Sequence, residues 1–559
     1  MKRKRILRTV AIVLAAVVAF CGIAAIIGLQ RSRARHSGGY ANSPETRIVS
    51  DDGTIGRVKV STLSLKEGLA LSRGSFTPSG RVIYTVRDGA EVLYFTCDDD
   101  GQNTLELCRV SFGNSGSRLL PFADNRRVLV GDYVLECPEG QTLDNCEPGR
   151  AILVPIHFPK KFASDKAVTE KWTEVIIAPD CEHFAWTIRR SDCGAVNAMG
   201  RLLRTETGYE VADAQYISNM NTFTAEKDGT ITYTPVIGGE VKQFVHGGTA
   251  ISLVGADRCG MADSVVQNIA TGEVTQLTFT PGYDETTILS PDEKLGITMT
   301  SRFSESSDLA VLGLVSRPYG QVLHNILGQA YMYSVTGVRS GRSGNVGPAM
   351  IDLERSMTEE GYTGIDLSDP EETWVFNSPL SWNKDGSKAM WMEREKNGGH
   401  IRLQIAELLD YQPGEAVTAV ETPAVGNYAA APQKSMDYSG RVNGKVSGWA
   451  ELEKRSGLLG YAEVKAVYHD YSDDGIHFYT GSEISSGSIL RKTTYKADLR
   501  VTDGNGSVFG GMDVDMHFSV AYKLSSFITG STSPKLEVSA SHGTAFWEDK
   551  TADISRLVQ

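Results

Sequence analysis

Two stretches of this 559-residue chain, "ILSPDEKLGITMTSR" from Ile288 and "LSWNKDGSKAMWMER" from Leu380, carry the same local instruction. A turn rich in Pro, Asp, Asn or Gly leads straight into a run of apolar and β-branched residues. The pattern recurs in "FTPSGRVIYTV" from Phe76, "FADNRRVLVG" from Phe122, "IAPDCEHFAWTI" from Ile177 and "TAEKDGTITYT" from Thr224. The residue in the Asp slot serves as a marker: Ser79, Asp124, Asp180, Asp228, Asp292 and Asp385, at steps of 45, 56, 48, 64 and 93 residues. Pro presets the first turn position, Asp bonds its own backbone, and Gly accepts a positive φ. The strand that follows is apolar on both faces in Val82-Ile83-Tyr84 and Ala389-Met390-Trp391, as in sheets covered on both sides. Six such hairpins at a period of roughly 40–50 residues suit radially stacked, four-stranded antiparallel sheets.

Ser290-Pro291-Asp292-Glu293-Lys294 and Trp382-Asn383-Lys384-Asp385-Gly386, with Ala178-Pro179-Asp180 as a shorter copy, resemble the W-S-P-D-G-K-x-I-A-F repeat of TolB-like propellers. The resemblance spans residues 66–435 and implies an all-β, six-bladed β-propeller. It is nearly silent about function, because such propellers serve as binding scaffolds, as peptidase gates and occasionally as enzymes. The 93-residue step is read as one blade with an insertion. "DLAVLGLV" (308–315) supplies a third strand, and residues 316–347 then break the β pattern, with a short helix near Val322 to Tyr331. Insertions of this kind project from a face, where binding loops sit. Beyond Ala431 the strands lengthen and alternate, so residues 436–559 are expected to form a separate antiparallel, β-sandwich-like domain.

The first 36 residues differ from the rest. Lys2, Arg3, Lys4, Arg5 and Arg8 precede twenty uncharged residues, Val10 to Leu29, followed by Arg31, Arg33 and Arg35. As a helix this segment is about 30 Å long, one bilayer core. It reads as a retained signal anchor with the basic end in the cytoplasm and the body outside, followed by a linker over 37–65. A cleaved segment would leave the body secreted. Removing those eight basic residues leaves 48 Lys+Arg against 68 Asp+Glu, a net of −20. A body so acidic excludes nucleic acid as a partner and leaves the helix as the membrane contact. Cys97 and Cys108, Cys137 and Cys146, and Cys181 and Cys193 form three local pairs. They are disulfide candidates in an oxidising compartment, with Cys259 left over.

No constellation specifies chemistry. Gly341-Arg342-Ser343-Gly344-Asn345 fails the last position of a nucleophile elbow. Asp470-x-Ser472-x-Asp474-Gly475 opens like a calcium loop, but its twelfth position is Gly481 where a Glu is required. Asp98, Asp99 and Asp100 read as an acidic hairpin tip. Asp513, Asp515, His517 and Ser519 share one face of a strand and read as a solvated sheet surface. His157, His183, His246, His324 and His400 fall at unrelated points of the repeat. Catalytic residues are therefore unassigned, and neither a cofactor nor a metal is expected. The expectation is a membrane-anchored, extracytoplasmic binding or scaffold protein that holds a protein or glycan ligand on a propeller face. The alternative is a carbohydrate-active lyase or hydrolase with an axial site, which would need convergent carboxylates or histidines there.

Overall fold

The computed structural model describes residues 46–49, 52–65, 70–111, 118–159, 174–189, 195–218, 222–234, 239–256, 261–280, 282–303, 310–320, 346–359, 361–369, 373–396, 400–429, 437–458, 461–488, 492–520 and 536–554. They are almost entirely β. Six sheets follow one another along the chain, each an antiparallel meander. The first uses Ala70–Phe76, Val82–Asp88, Glu91–Cys97 and Leu105–Val110. The second and third begin at Leu120–Pro121 and Val175–Ile177, the fourth at Val241–Val245, the fifth at Asp284–Leu289 and the sixth at Trp374–Trp382. The second and third sheets also join edge to edge through a short parallel pairing, Ile156 with Tyr209.

Because strands in these sheets are apolar on both faces, each sheet can pack against two neighbours. Ile83 and Tyr94 of the first sheet meet Val128 and Leu135 of the second. Leu129 of the second meets Phe184 and Trp186 of the third. Met199 meets Phe244 between the third and fourth, Val266 meets Leu289 between the fourth and fifth, and Met299 meets Trp391 between the fifth and sixth. Met390 and Leu403 of the sixth then pack on Tyr84 and Phe95 of the first. The sequence of cores returns to its start, giving a propeller-like arrangement. Each such side chain contributes about 1.5–3 kcal/mol by burial.

The sixth sheet takes its outer strands from the other end of the chain. Val58–Thr62 pairs antiparallel with Ile401–Leu408, Val60 opposite Ala406, and Thr46–Val49 adds a further edge. Residues expected as linker are therefore strand. Arg57 fastens the junction through two bonds to Asp410, at 2.8 and 2.7 Å.

The five Asp markers behave as their chemistry requires. The carboxylates of Asp124, Asp180, Asp228, Asp292 and Asp385 accept backbone N–H groups two residues on, and the Ser79 turn closes with Thr77 N–H on Arg81 O. Asp228 departs from expectation in its place, not in its turn. Its hairpin, Thr222–Ala225 with Ile231–Thr234, stands outside the six sheets as a separate two-stranded sheet. The fourth sheet turns instead at His246-Gly247-Gly248, where His246 and both glycines take positive φ, and Glu293 of the next sheet bonds His246.

Two further expectations are corrected. "DLAVLGLV" is not a strand: Ala310–Gly313 is a helical turn, and the third strand of the fifth sheet is Gly347–Asp352. The C-terminal region is a single eight-stranded meander from Tyr438–Asn443 to Lys550–Asp553, not a two-layered sandwich. One face is apolar by strict alternation, as in Tyr495, Ala497, Leu499 and Val501. Its covering layer comes from residues 310–320 and the displaced hairpin, through Val311, Leu312, Val315 and Ile231. The apolar segment 10–29 lies outside the described residues, as do the helix expected near 322–331, His324, Cys193 and Cys259. Among the described residues no helix is long and apolar enough to cross a membrane.

Candidate functional site: the axial cavity

The first strands of successive sheets lie side by side and surround a cavity of about 490 Å³. Every sheet contributes to its wall: Phe76, Leu120, Ile176, Phe244, Pro291 and Trp382, in chain order. The mouth opens among the marker turns, since Pro78, Pro179 and Lys384 also line it. Neighbouring sheets are clamped at this rim. Trp382 Nε1–H donates to Ile288 O at 2.8 Å, and the Gln243 amide bonds both N–H and C=O of Leu289.

An extended segment without regular structure, residues 409–429, crosses the marker turns. Gly414 N–H donates to Asp292 at 2.8 Å, Val417 N–H to Pro291 O, Val420 N–H to Gly247 O, and Thr422 N–H to Asp180 at 3.2 Å. It thus overlies the fifth, fourth and third sheets. Its Pro413 also packs against Gly386 in the turn of the sixth.

A cluster of charge adjoins the apolar wall, and two of its members, Arg118 and Lys242, line the cavity. Lys242, whose side chain is 3% exposed, donates to Glu240 at 2.6 Å and to Glu285 at 3.1 Å. Glu174 stands 3.9 Å from the same ammonium and 3.8 Å from Arg118. Arg118 donates to Lys242 O at 2.6 Å, and Tyr283 OH donates to Glu285 at 2.5 Å. Two cations thus face three carboxylates. Burial, with Glu174 and Glu285 adding to it, pushes the Glu240 carboxyl up to about 7 in spite of Lys242. Burial works against the Lys242 charge, but Glu240, Glu285 and Glu174 outweigh it and hold the ammonium above its ordinary value. Burial lowers the Arg118 guanidinium.

None of these five axial groups was singled out from sequence. Four of them stand at or next to the start of an apolar first strand, in "TEVII", "GEVKQF" and "YDETTIL", and Arg118 just precedes Leu120–Pro121. A charge in a strand that should be buried on both faces was the available signal. Among the described residues the histidines do not converge. His183 bonds Asp180 in its own turn, His246 bonds Glu293, and His400 stands 3.8 Å from Glu395. Asp515 pairs with Lys496 and His517 on the outer sheet face. Among the described residues no group of His, Cys, Asp or Glu has the geometry to hold a metal.

The candidate cysteine pairs differ in how they are placed. Cys97, Cys108, Cys137, Cys146 and Cys181 are free thiols. Cys97 faces the core between the sixth and first sheets, whereas Cys108 faces the one between the first and second. Cys108, on the next strand, stands opposite Tyr94, and alternation along Glu91–Cys97 sends Tyr94 and Cys97 to opposite faces, so that pair cannot bridge. The Cys137 and Cys146 thiols do meet in one core. Cys181 lies in the third marker turn, and Cys193, its expected mate, is outside the described residues.

No protein-family model matches the chain, and no curated protein matches it. Several solved structures do. A putative TolB from Agrobacterium tumefaciens matches with 9% identity and a TM-score of 0.28, covering 67% of this chain and 92% of that one. An oligogalacturonate lyase in complex with manganese matches with 13% identity and a TM-score of 0.32, covering 67% and 98%. A puromycin hydrolase matches with 13% identity and a TM-score of 0.28, covering 79% and 60%. At such identities and TM-scores these likenesses say nothing of this chain's activity.

Proposed function

We propose that this chain is an extracytoplasmic binding protein, held to a membrane by residues 10–29. A closed, six-bladed, TolB-like propeller presents its axial mouth to a protein or glycan ligand. The observation that carries the reading is the axial cavity, to which all six sheets give apolar side chains. The charged groups at its wall, Lys242 among them, are already engaged with one another. A preformed apolar hollow with few convergent polar groups suits binding. Phe76, Phe244 and Trp382 offer flat apolar faces to an aliphatic side chain or the face of a sugar ring. An oxidising compartment agrees with Cys137 and Cys146, whose thiols are already in contact.

A second reading, a carbohydrate-active enzyme, is favoured by one observation: a carboxyl near neutrality beside an ammonium, Glu240 with Lys242. Perturbed carboxyls in a cleft are candidate acid–base groups. The same experiment separates the two. The ectodomain and its Phe244→Asp variant are used to capture material from native envelope, with and without chelator, and the captured material is assayed for glycan turnover. Capture lost in Phe244→Asp but kept in Glu240→Gln supports binding. Turnover lost in Glu240→Gln replaces it with the enzyme reading.

A further inference from the structure

The insertion of the fifth sheet is buried in the C-terminal sheet, and its polar contacts are more specific than a covering layer requires. Arg317 is 1% exposed. Its Nη1 donates to Glu483 at 2.8 Å and to Tyr495 OH at 2.7 Å, while Nη2 donates to Leu312 O at 2.7 Å. Glu483 is fully buried in the strand Phe478–Gly487. It also accepts from Tyr468 OH at 2.8 Å and from Tyr495 OH at 3.0 Å. Two residues beyond Arg317, Tyr319 N–H donates to Tyr468 OH, and Tyr319 OH shares a hydrogen bond of 2.9 Å with Tyr471 OH. The Tyr319 ring stacks on Tyr468 and meets Tyr471 edge-on.

Every group on the receiving side belongs to the C-terminal sheet. A carboxylate buried among tyrosines costs much free energy unless a cation reaches it. A guanidinium suits such a place, being planar, always charged and weakly hydrated. The tyrosines serve twice, completing Glu483 and gripping the aromatic residue that follows. A sheet that needed only an apolar lid would carry none of this.

We propose that the inward face of the C-terminal sheet is a recognition site for a peptide segment with arginine two residues before tyrosine. In this chain Arg317-Pro318-Tyr319 fills it in cis. The C-terminal sheet is then a peptide-binding module whose own tethered ligand docks it on the propeller-like body.

The test uses the whole chain. Arg317→Ala with Tyr319→Ala empties the pocket around Glu483 and Tyr471, and a labelled peptide of residues 316–320 is titrated in, followed by fluorescence anisotropy. The double variant is expected to bind the peptide saturably. The unaltered chain, already filled, should bind about a hundredfold more weakly, and a peptide carrying Arg317→Met should lose at least as much. A folded double variant that ignores the parent peptide, or takes the Met peptide equally well, overturns the proposal. Should the double variant not fold alone, it is refolded with each peptide. Recovery with the parent peptide only is the expected result, and no difference between the two overturns the proposal.

Discussion

The buried charge at the axis makes stability depend on pH in a direction opposite to that of an ordinary ion-paired carboxylate. Glu240 is held at about 7, against an ordinary value of 4.5. Its folded form therefore binds a proton more tightly than its unfolded form. Where the native state holds more protons, stability falls as pH rises. The contribution is complete below pH ~4.5 and is lost progressively as pH climbs to about 7. At 1.36 kcal/mol per tenfold in proton affinity, the loss reaches about 3 kcal/mol as a ceiling. Glu240→Gln keeps the shape and removes the titration, so its unfolding free energy should lack this fall. Urea denaturation of the ectodomain and the variant at pH 5, 6, 7 and 8 measures the difference between them, and other titrating groups cancel in it. A difference that stays constant with pH, or grows in the opposite direction, refutes the assignment of a proton to Glu240.

Other expectations follow from the same contacts. Val60→Asp places a charge in a fully buried position of the strand that completes the sixth sheet; it should cost about 4 kcal/mol in chemical denaturation, whereas the same change at exposed Ile48 should cost far less. The Glu293 hydrogen bond, opposed by burial, raises His246, so an NMR titration should show its imidazole moving down in Glu293→Gln. Peptide mapping of oxidised ectodomain should find Cys137 joined to Cys146 and Cys97 still a thiol; a Cys97–Cys108 link would contradict their placement on opposite faces of the first sheet.

The hairpins were legible because their signal is local. Asp180, Asp292 and Asp385 sit where an Asx turn must sit, and the double-sided apolar strands announced sheets packed on both faces. The same locality misled at Asp228, whose turn chemistry is identical whether the hairpin belongs to the ring or flanks it. His246-Gly247-Gly248 was passed over because positive φ and a bond from Glu293 replace the Asp. Val58–Thr62 is a short alternating run whose partner, Ile401–Leu408, is distant in sequence, Val58 pairing with Leu408, and no nearby pattern reveals such a pairing. Ala310–Gly313 looks like a strand by composition, but its place is inside another sheet's core. The axial Glu174, Glu240, Lys242 and Glu285 come from the starts of three separate first strands, and only the side-by-side placement of those strands brings them together.

The central claim is that the axial mouth receives a ligand. It is tested most directly by placing a photoreactive phenylalanine analogue at position 244, inside the mouth, and at position 210, on the outer strand Tyr209–Tyr216, in the membrane-bound full chain. Irradiation of native envelope should join one discrete species to position 244, and Trp382→Ala should abolish it, while position 210 yields none. Equal labelling from the two positions, or a product at 244 that survives loss of Trp382, would contradict the account.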